Sequence, residues 1–135
     1  MSDAVSESRE LLIGTLREWV RRRVLPVACE LELRDEYPAD LVQEMREMGL
    51  FGAVISPAYG GAGLTYETYV AAVEEISRGW MTLAGIFNSH LILAHLVEHF
   101  GNDEQRERFL PGLTSGEAQG ALALTEPGAG SDVQA

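Results

Sequence analysis

Apolar residues recur every three to four positions along most of this chain. Leu12, Leu16, Val20, Val24, Val27 and Leu31 form one stripe, flanked by Trp19 and Leu25, and predict a long amphipathic first helix. Pro26 falls inside it and removes one backbone donor, so a kink is expected, and not a stop, because the stripe runs on past it. Tyr37-Pro38 reads as a restart, with Leu41, Met45 and Met48 as a second stripe ended at Gly49. Four glycines and a proline between Phe51 and Leu64 exclude a regular helix there. Thr65 then caps a third helix whose apolar side is Tyr66, Tyr69, Val70, Val73 and Ile76.

Gly79 to Val97 is a run of 19 residues without formal charge. Its length suits a membrane span. Asn88, Ser89, His90 and His95 within it are costly in lipid and argue for burial in protein instead. Leu83, Phe87, Leu91, Ile92, Leu93 and Leu96 lie on nearly all sides of the axis, which predicts a central helix buried all round. Asn102 caps a fifth helix with Gln105 as its capping-box partner, and Phe109, Leu110 and Leu113 are its apolar residues. The predicted helices lie near residues 5–34, 38–48, 65–78, 80–100 and 103–115. Residues 120–125 have the length of one short strand, followed by a turn of small residues, Glu126 to Asp132. The fold class expected is mainly α: a helical domain over 1–116, then the start of a truncated β-domain over 117–135.

Charge narrows the function. Ten arginines, no lysine and 21 acidic residues give a net charge of -11. Sequence-independent nucleic-acid binding and attachment to an anionic membrane both need the opposite balance. The single Cys29 cannot form an internal disulfide, and Met1 to Glu10 lack the pattern of a signal peptide, so a cytoplasmic location is expected.

Three groups of residues could carry chemistry. His95-Leu96-Val97-Glu98-His99 matches the H-x-x-E-H pattern of a zinc peptidase. His90 points about 180° away from His99 on an ideal helix and cannot complete the site. Histidines near the negative end of a helix are the commoner reading, and no metal ligand is assigned. Gly61-Ala62-Gly63 and Gly128-Ala129-Gly130 each hold half of a dinucleotide fingerprint, without the third glycine or the βαβ setting. The turn from Thr125 to Asp132 is more suggestive. Glycines admit close approach of a ligand, consecutive amides form an anion nest, and Thr125 and Ser131 add hydroxyls. A plain surface turn uses the same residue types.

Four segments in order resemble the acyl-CoA dehydrogenase family. Ala123-Leu124-Thr125-Glu126-Pro127-Gly128-Ala129-Gly130-Ser131-Asp132 resembles its flavin-contacting signature, and Pro57-Ala58-Tyr59-Gly60-Gly61-Ala62-Gly63 its Tyr-Gly-Gly loop. Glu74-Glu75-Ile76-Ser77-Arg78 is similar to the end of its third helix. Phe100 to Pro111 is similar to its helix that opens at Gly and closes in Leu-Pro. The resemblance implies FAD, α,β-dehydrogenation of an acyl-CoA thioester, an electron-transfer flavoprotein as electron acceptor and a homo- or hetero-oligomer. By carry-over, Leu122, Leu124 and Thr125 face the isoalloxazine ring, Gly130 and Ser131 the pyrophosphate, and Ser131 also the thioester. The family's catalytic carboxylate lies beyond this signature, so no residue here is named as the base. A fragment or truncated product without dehydrogenase activity of its own is expected, with Leu122 and Leu124 exposed. Other readings are a non-catalytic helical module supporting a flavoenzyme, a flavin monooxygenase on the same scaffold, and a zinc hydrolase built on His95, Glu98 and His99.

Overall fold

The computed structural model describes residues 3–134, with side chains from Glu7 onward; the expected domain limits at 1 and 135 lie outside them. The chain forms α1 (Asp3–Trp19), a π-turn (Val20–Val24), α2 (Leu25–Leu33), α3 (Ala39–Glu47), α4 (Tyr66–Gly79), α5 (Met81–Phe100) and α6 (Asp103–Thr114), with short 3-10 turns at Leu50–Gly52 and Pro57–Tyr59. α4 packs against α1 and the π-turn on one side and against α5 on the other, and α6 packs on α5.

The helix through Pro26 continues, as expected, and the device that lets it continue is the π-turn. The Leu25 amide donates to the Val20 carbonyl, five residues back, immediately before the ring that has no proton to donate. The wider turn changes the phase of the buried stripe. Leu16, Val20 and Val24 are buried as predicted, but the next inward residue is Ala28, and Val27 turns outward. Exposed Arg22 pairs with Glu18 one turn back.

The main core joins Leu16, Trp19, Val20 and Val24 to Leu41, Met45, Phe51, Ile76, Leu83, Phe87 and Leu91. A smaller cluster of Ile55, Ala94, Leu110 and Leu113 seals α5 to α6. Both predicted caps form. Thr65 accepts from the Thr68 amide, and Asn102 and Gln105 exchange side chain-to-backbone bonds of 2.9 Å.

Four expectations need correction. The buried side of α4 is Thr68, Ala72, Glu75 and Ile76, while Tyr66 and Val70 are about 60% exposed. Glu75 is tolerated inside because Arg17 and Arg78 reach its carboxylate at 2.7 and 3.1 Å, and the Arg17 hydrogen bond holds its pKa below the usual carboxylate value. α5 is not buried all round: Leu91 is 2% exposed but Ile92 is 38%, and Met81, Leu96 and Phe100 also face outward. Phe109 of α6 lies outside under the Arg108 guanidinium, 5.1 Å from its ring centre. Finally, the strand expected at 120–125 is extended chain without a ladder. No described residue lies in a named strand, and the sole bridge joins Glu126 to Ala129. A strand needs a partner, and none of the described segments supplies one.

Candidate functional site

The turn at Glu126–Ala129 closes on itself. The Glu126 amide donates to the Ala129 carbonyl at 2.8 Å and the Ala129 amide returns to the Glu126 carbonyl at 3.2 Å. Pro127 sets φ at the second position of this turn. Around it, the hydroxyls of Thr125 and Ser131 and the amides of Gly128, Gly130 and Ser131 have no partner among the described residues. Leu122 and Leu124 stand exposed before the turn, as expected.

The glycines of the two loops differ in what the fold asks of them. A Cβ at Gly61 would sit 2.0 Å from the Ile55 carbonyl oxygen, and Gly60 and Gly63 have positive φ, so the fold itself demands glycine in that loop. Gly128 and Gly130 are under no such demand. Nothing lies within 4 Å of a Cβ at Gly128, Thr125 Cγ2 is 3.8 Å from one at Gly130, and neither has positive φ. The chain's own packing leaves their small size unexplained. An open rim of small residues with unpartnered amides and hydroxyls fits the edge of a planar heterocycle or a pyrophosphate, so the residues present suit a flavin dinucleotide.

The segment leading into this turn is held at three points. Arg46 Nε donates to the Gly116 carbonyl at 2.7 Å, Tyr37 Oη to Gln119 Oε1 at 3.1 Å, and the Gly120 amide to His90 Nδ1 at 3.1 Å. His90 is 1% exposed, and its Nε2 faces the carbonyls of Phe51 and Leu113 at 3.1 and 3.0 Å. Because Nδ1 accepts from an amide, the ring is the neutral tautomer with its proton on Nε2, shared between two carbonyls. Burial holds its pKa below the ordinary histidine value, against the opposing pull of those carbonyls. One imidazole thus ties the middle of α5 to the 3-10 turn, to the end of α6 and to the chain's last anchored residue before the turn.

The H-x-x-E-H residues do converge: one ring nitrogen each from His95 and His99 and a carboxylate oxygen of Glu98 all lie within 4.8 Å of one another. The Ser56 amide donates to Glu98 at 2.8 Å.

Residues 6–117 match the family model described as acyl-CoA dehydrogenase, N-terminal domain. The chain belongs to the acyl-CoA dehydrogenase family. It is 36% identical over 129 residues to an acyl-CoA dehydrogenase of Bacillus subtilis, a match covering 95% of this chain and 34% of the relative. It is 40% identical over 134 residues to a 3-(aryl)acrylate reductase of Clostridium sporogenes, covering 96% of this chain and 35% of that protein. The structure of butyryl-CoA dehydrogenase from Megasphaera elsdenii superposes with a TM-score of 0.87 at 28% identity, over 98% of this chain and 35% of that one. This chain spans about a third of the length of the relatives it matches. Among the described residues of this acyl-CoA dehydrogenase family member, no helix is long and apolar enough to cross a membrane.

In the sequence His90 reads as a polar cost against lipid and as a residue unable to complete a metal site, and its tie between three segments is not visible there. What the sequence does carry is the demand itself: a buried imidazole in an uncharged helix must find partners for both nitrogens.

Proposed function

We propose that this chain is the N-terminal part of a FAD-dependent acyl-CoA dehydrogenase, with a helical domain over 1–116 and the opening of a β-domain over 117–135. The observation that carries the flavin reading is the contrast between glycines: those at 128 and 130 answer to nothing in the chain's own fold, and the Thr125 and Ser131 hydroxyls and the amides of Gly128, Gly130 and Ser131 have no partner among the described residues. When bound, FAD accepts the hydride removed from the β-carbon of an acyl-CoA thioester. Leu122, Leu124 and Thr125 offer backbone groups and a hydroxyl to the ring, Gly130 and Ser131 offer amides and a hydroxyl to the pyrophosphate, and Ser131 also meets the thioester. The helices supply the wall from which this segment departs, with His90 fixing the point of departure.

No residue of this chain is assigned the proton abstraction. Glu126 and Asp132, the carboxylates beside the turn, are both exposed, and a base must be held at the substrate's α-proton. The chain alone is therefore inactive as a dehydrogenase. In the whole enzyme, a cytoplasmic oligomer, electrons pass to an electron-transfer flavoprotein. The names of relatives include both a dehydrogenase and a reductase, so the reaction class is oxidation or reduction of a carbon–carbon bond beside a carbonyl, and we favour the dehydrogenase direction on the weight of family membership.

The test is Gly130→Val in the complete enzyme. A valine at this open rim has room in the chain itself, so folding is retained and flavin absorbance after purification should be largely lost. Full flavin occupancy in a folded Gly130→Val protein would remove the turn from the cofactor site.

A further inference from the structure

The cluster at the end of α5 has a geometry that the flavin reading does not use. His95 and His99 are one helical turn apart, and their ring centres are 3.9 Å from each other. Glu98 completes the triangle, with the three candidate donor atoms within 4.8 Å. Tetrahedral coordination with zinc–nitrogen bonds of about 2.0 Å puts two ligand nitrogens roughly 3.3 Å apart. Separations of at most 4.8 Å leave the present triangle roughly an ångström or two wider than that spacing, a difference on the scale of side-chain rotation.

The surroundings are arranged as they are around metal-binding histidines. His99 Nδ1 lies 3.1 Å from the His95 carbonyl oxygen, and donating to it leaves Nε2 with a free lone pair. His95 Nδ1 lies 3.3 Å from the hydroxyl oxygen of Tyr66, an oxygen that can fix the second tautomer in the same sense. An oxygen acceptor on the far nitrogen is what orients an imidazole ligand and raises its basicity. Glu98 is anchored through Oε1 by the Ser56 amide, leaving Oε2 unclaimed by any hydrogen bond; its 3.8 Å approach to His99 is to Nδ1, so ligation through Nε2 requires the imidazole to turn. The Glu98 side chain is 14% exposed and that of His99 51%, so the triangle is firm on one side and open to water on the other.

We propose that His95, Glu98 and His99 bind a divalent transition-metal ion of borderline softness, of which Zn2+ is the type. Two imidazoles and one carboxylate are a donor set for such an ion and a poor one for calcium or magnesium, which require oxygen. Water occupies the fourth position on the open side. Glu98 is spent as a ligand and is unavailable as a general base, so the site binds metal and does not hydrolyse peptides, unlike the peptidase pattern it matches. Through Ser56 and Tyr66 the ion joins α5 to the 53–61 loop and to the start of α4, stiffening that end of the bundle.

The experiment is titration of the untagged, chelator-treated 135-residue chain with ZnCl2 by calorimetry, and with CoCl2 by visible absorption. The expected result is one saturable equivalent, with the intense visible band of low-coordinate cobalt. His95→Ala and His99→Ala should each weaken binding by more than tenfold, and Tyr66→Phe by about tenfold, the loss typical of an orienting partner. Glu98→Gln still accepts from Ser56, so it should keep the fold while losing affinity. Helical circular dichroism confirms that each variant is folded. Non-saturating binding, or saturable binding that His95→Ala and His99→Ala leave unchanged, overturns the proposal. The flavin reading stands or falls separately, on Gly130.

Discussion

Replacing His90 by leucine removes three hydrogen bonds while nearly conserving volume, so the loss is chiefly polar. The Gly120 amide and the Phe51 carbonyl are left without the imidazole, whereas the Leu113 carbonyl keeps the Gly116 amide at 3.0 Å. A buried group stripped of its partner costs about 1–3 kcal/mol. Phe51 is fully buried and should bear most of that range; Gly120 is half-buried and within reach of water, so it bears the low end. The sum expected for His90→Leu is roughly 2–4 kcal/mol, read from urea denaturation at pH 7.5. Amide exchange should accelerate most at Gly120, the residue released. Acid should imitate the mutation in part. The folded-state pKa of His90 is below its ordinary 6.5, so the unfolded chain binds the proton first. Stability from this group is thus level above pH 6.5 and declines as pH falls below it, until the folded ring protonates too. In His90→Leu that segment of the pH profile should be absent. A loss under about 0.5 kcal/mol, the size of an ordinary surface change, with Gly120 exchange unaltered, refutes the account of His90 as a tie between segments.

Two further expectations concern packing. A Cβ on Gly79 would meet Val20 and Val24 at 2.6 and 3.0 Å, so Gly79→Ala should destabilise by about 1–3 kcal/mol through overpacking, whereas Gly85→Ala, with nothing within 4 Å, should stabilise by about 0.4–1 kcal/mol; chemical denaturation of both reverses the argument if the signs agree. Leu91→Ala should cost about 2–5 kcal/mol and Ile92→Ala well under half of that, because Leu91 is enclosed and Ile92 is not; equal losses would place Ile92 inside the core.

Where one chemical signal dominated, the sequence was readable. Asn102 with Gln105 three residues on, Thr65 before an amphipathic run, and Gly49 after one each marked a helix end that the structure shows. Faces were less readable than elements. Apolar counting put Tyr66 and Val70 inside α4, yet Thr68 and Glu75 are the buried ones. An inward carboxylate is affordable only when arginines from elsewhere reach it, and Arg17 lies 58 residues away in the chain. Val27 failed for a different reason, since a repeat of 3.6 cannot anticipate a five-residue step. Of the candidate site, the residue types of the turn were legible, because Thr, Gly and Ser announce free donors. The anchoring by Arg46, Tyr37 and His90 was not, because each contact spans a distance in sequence that no local pattern records.

The π-turn gives the long N-terminal helix a property that neither half has alone. Such a turn is an extra residue carried inside a helix without being expelled as a loop. Removing one residue between Val20 and Val24 would restore regular geometry and leave the two flanks in nearly their present phase, whereas the same deletion in a regular stretch would swing everything before it by about 100° relative to everything after it. Leu16, Trp19 and Arg17 would then keep their side against α4, and Ala28 its own. The irregular turn therefore takes up an extra residue locally, and it is the one stretch of this helix whose length can change without re-facing the buried side chains on either side of it.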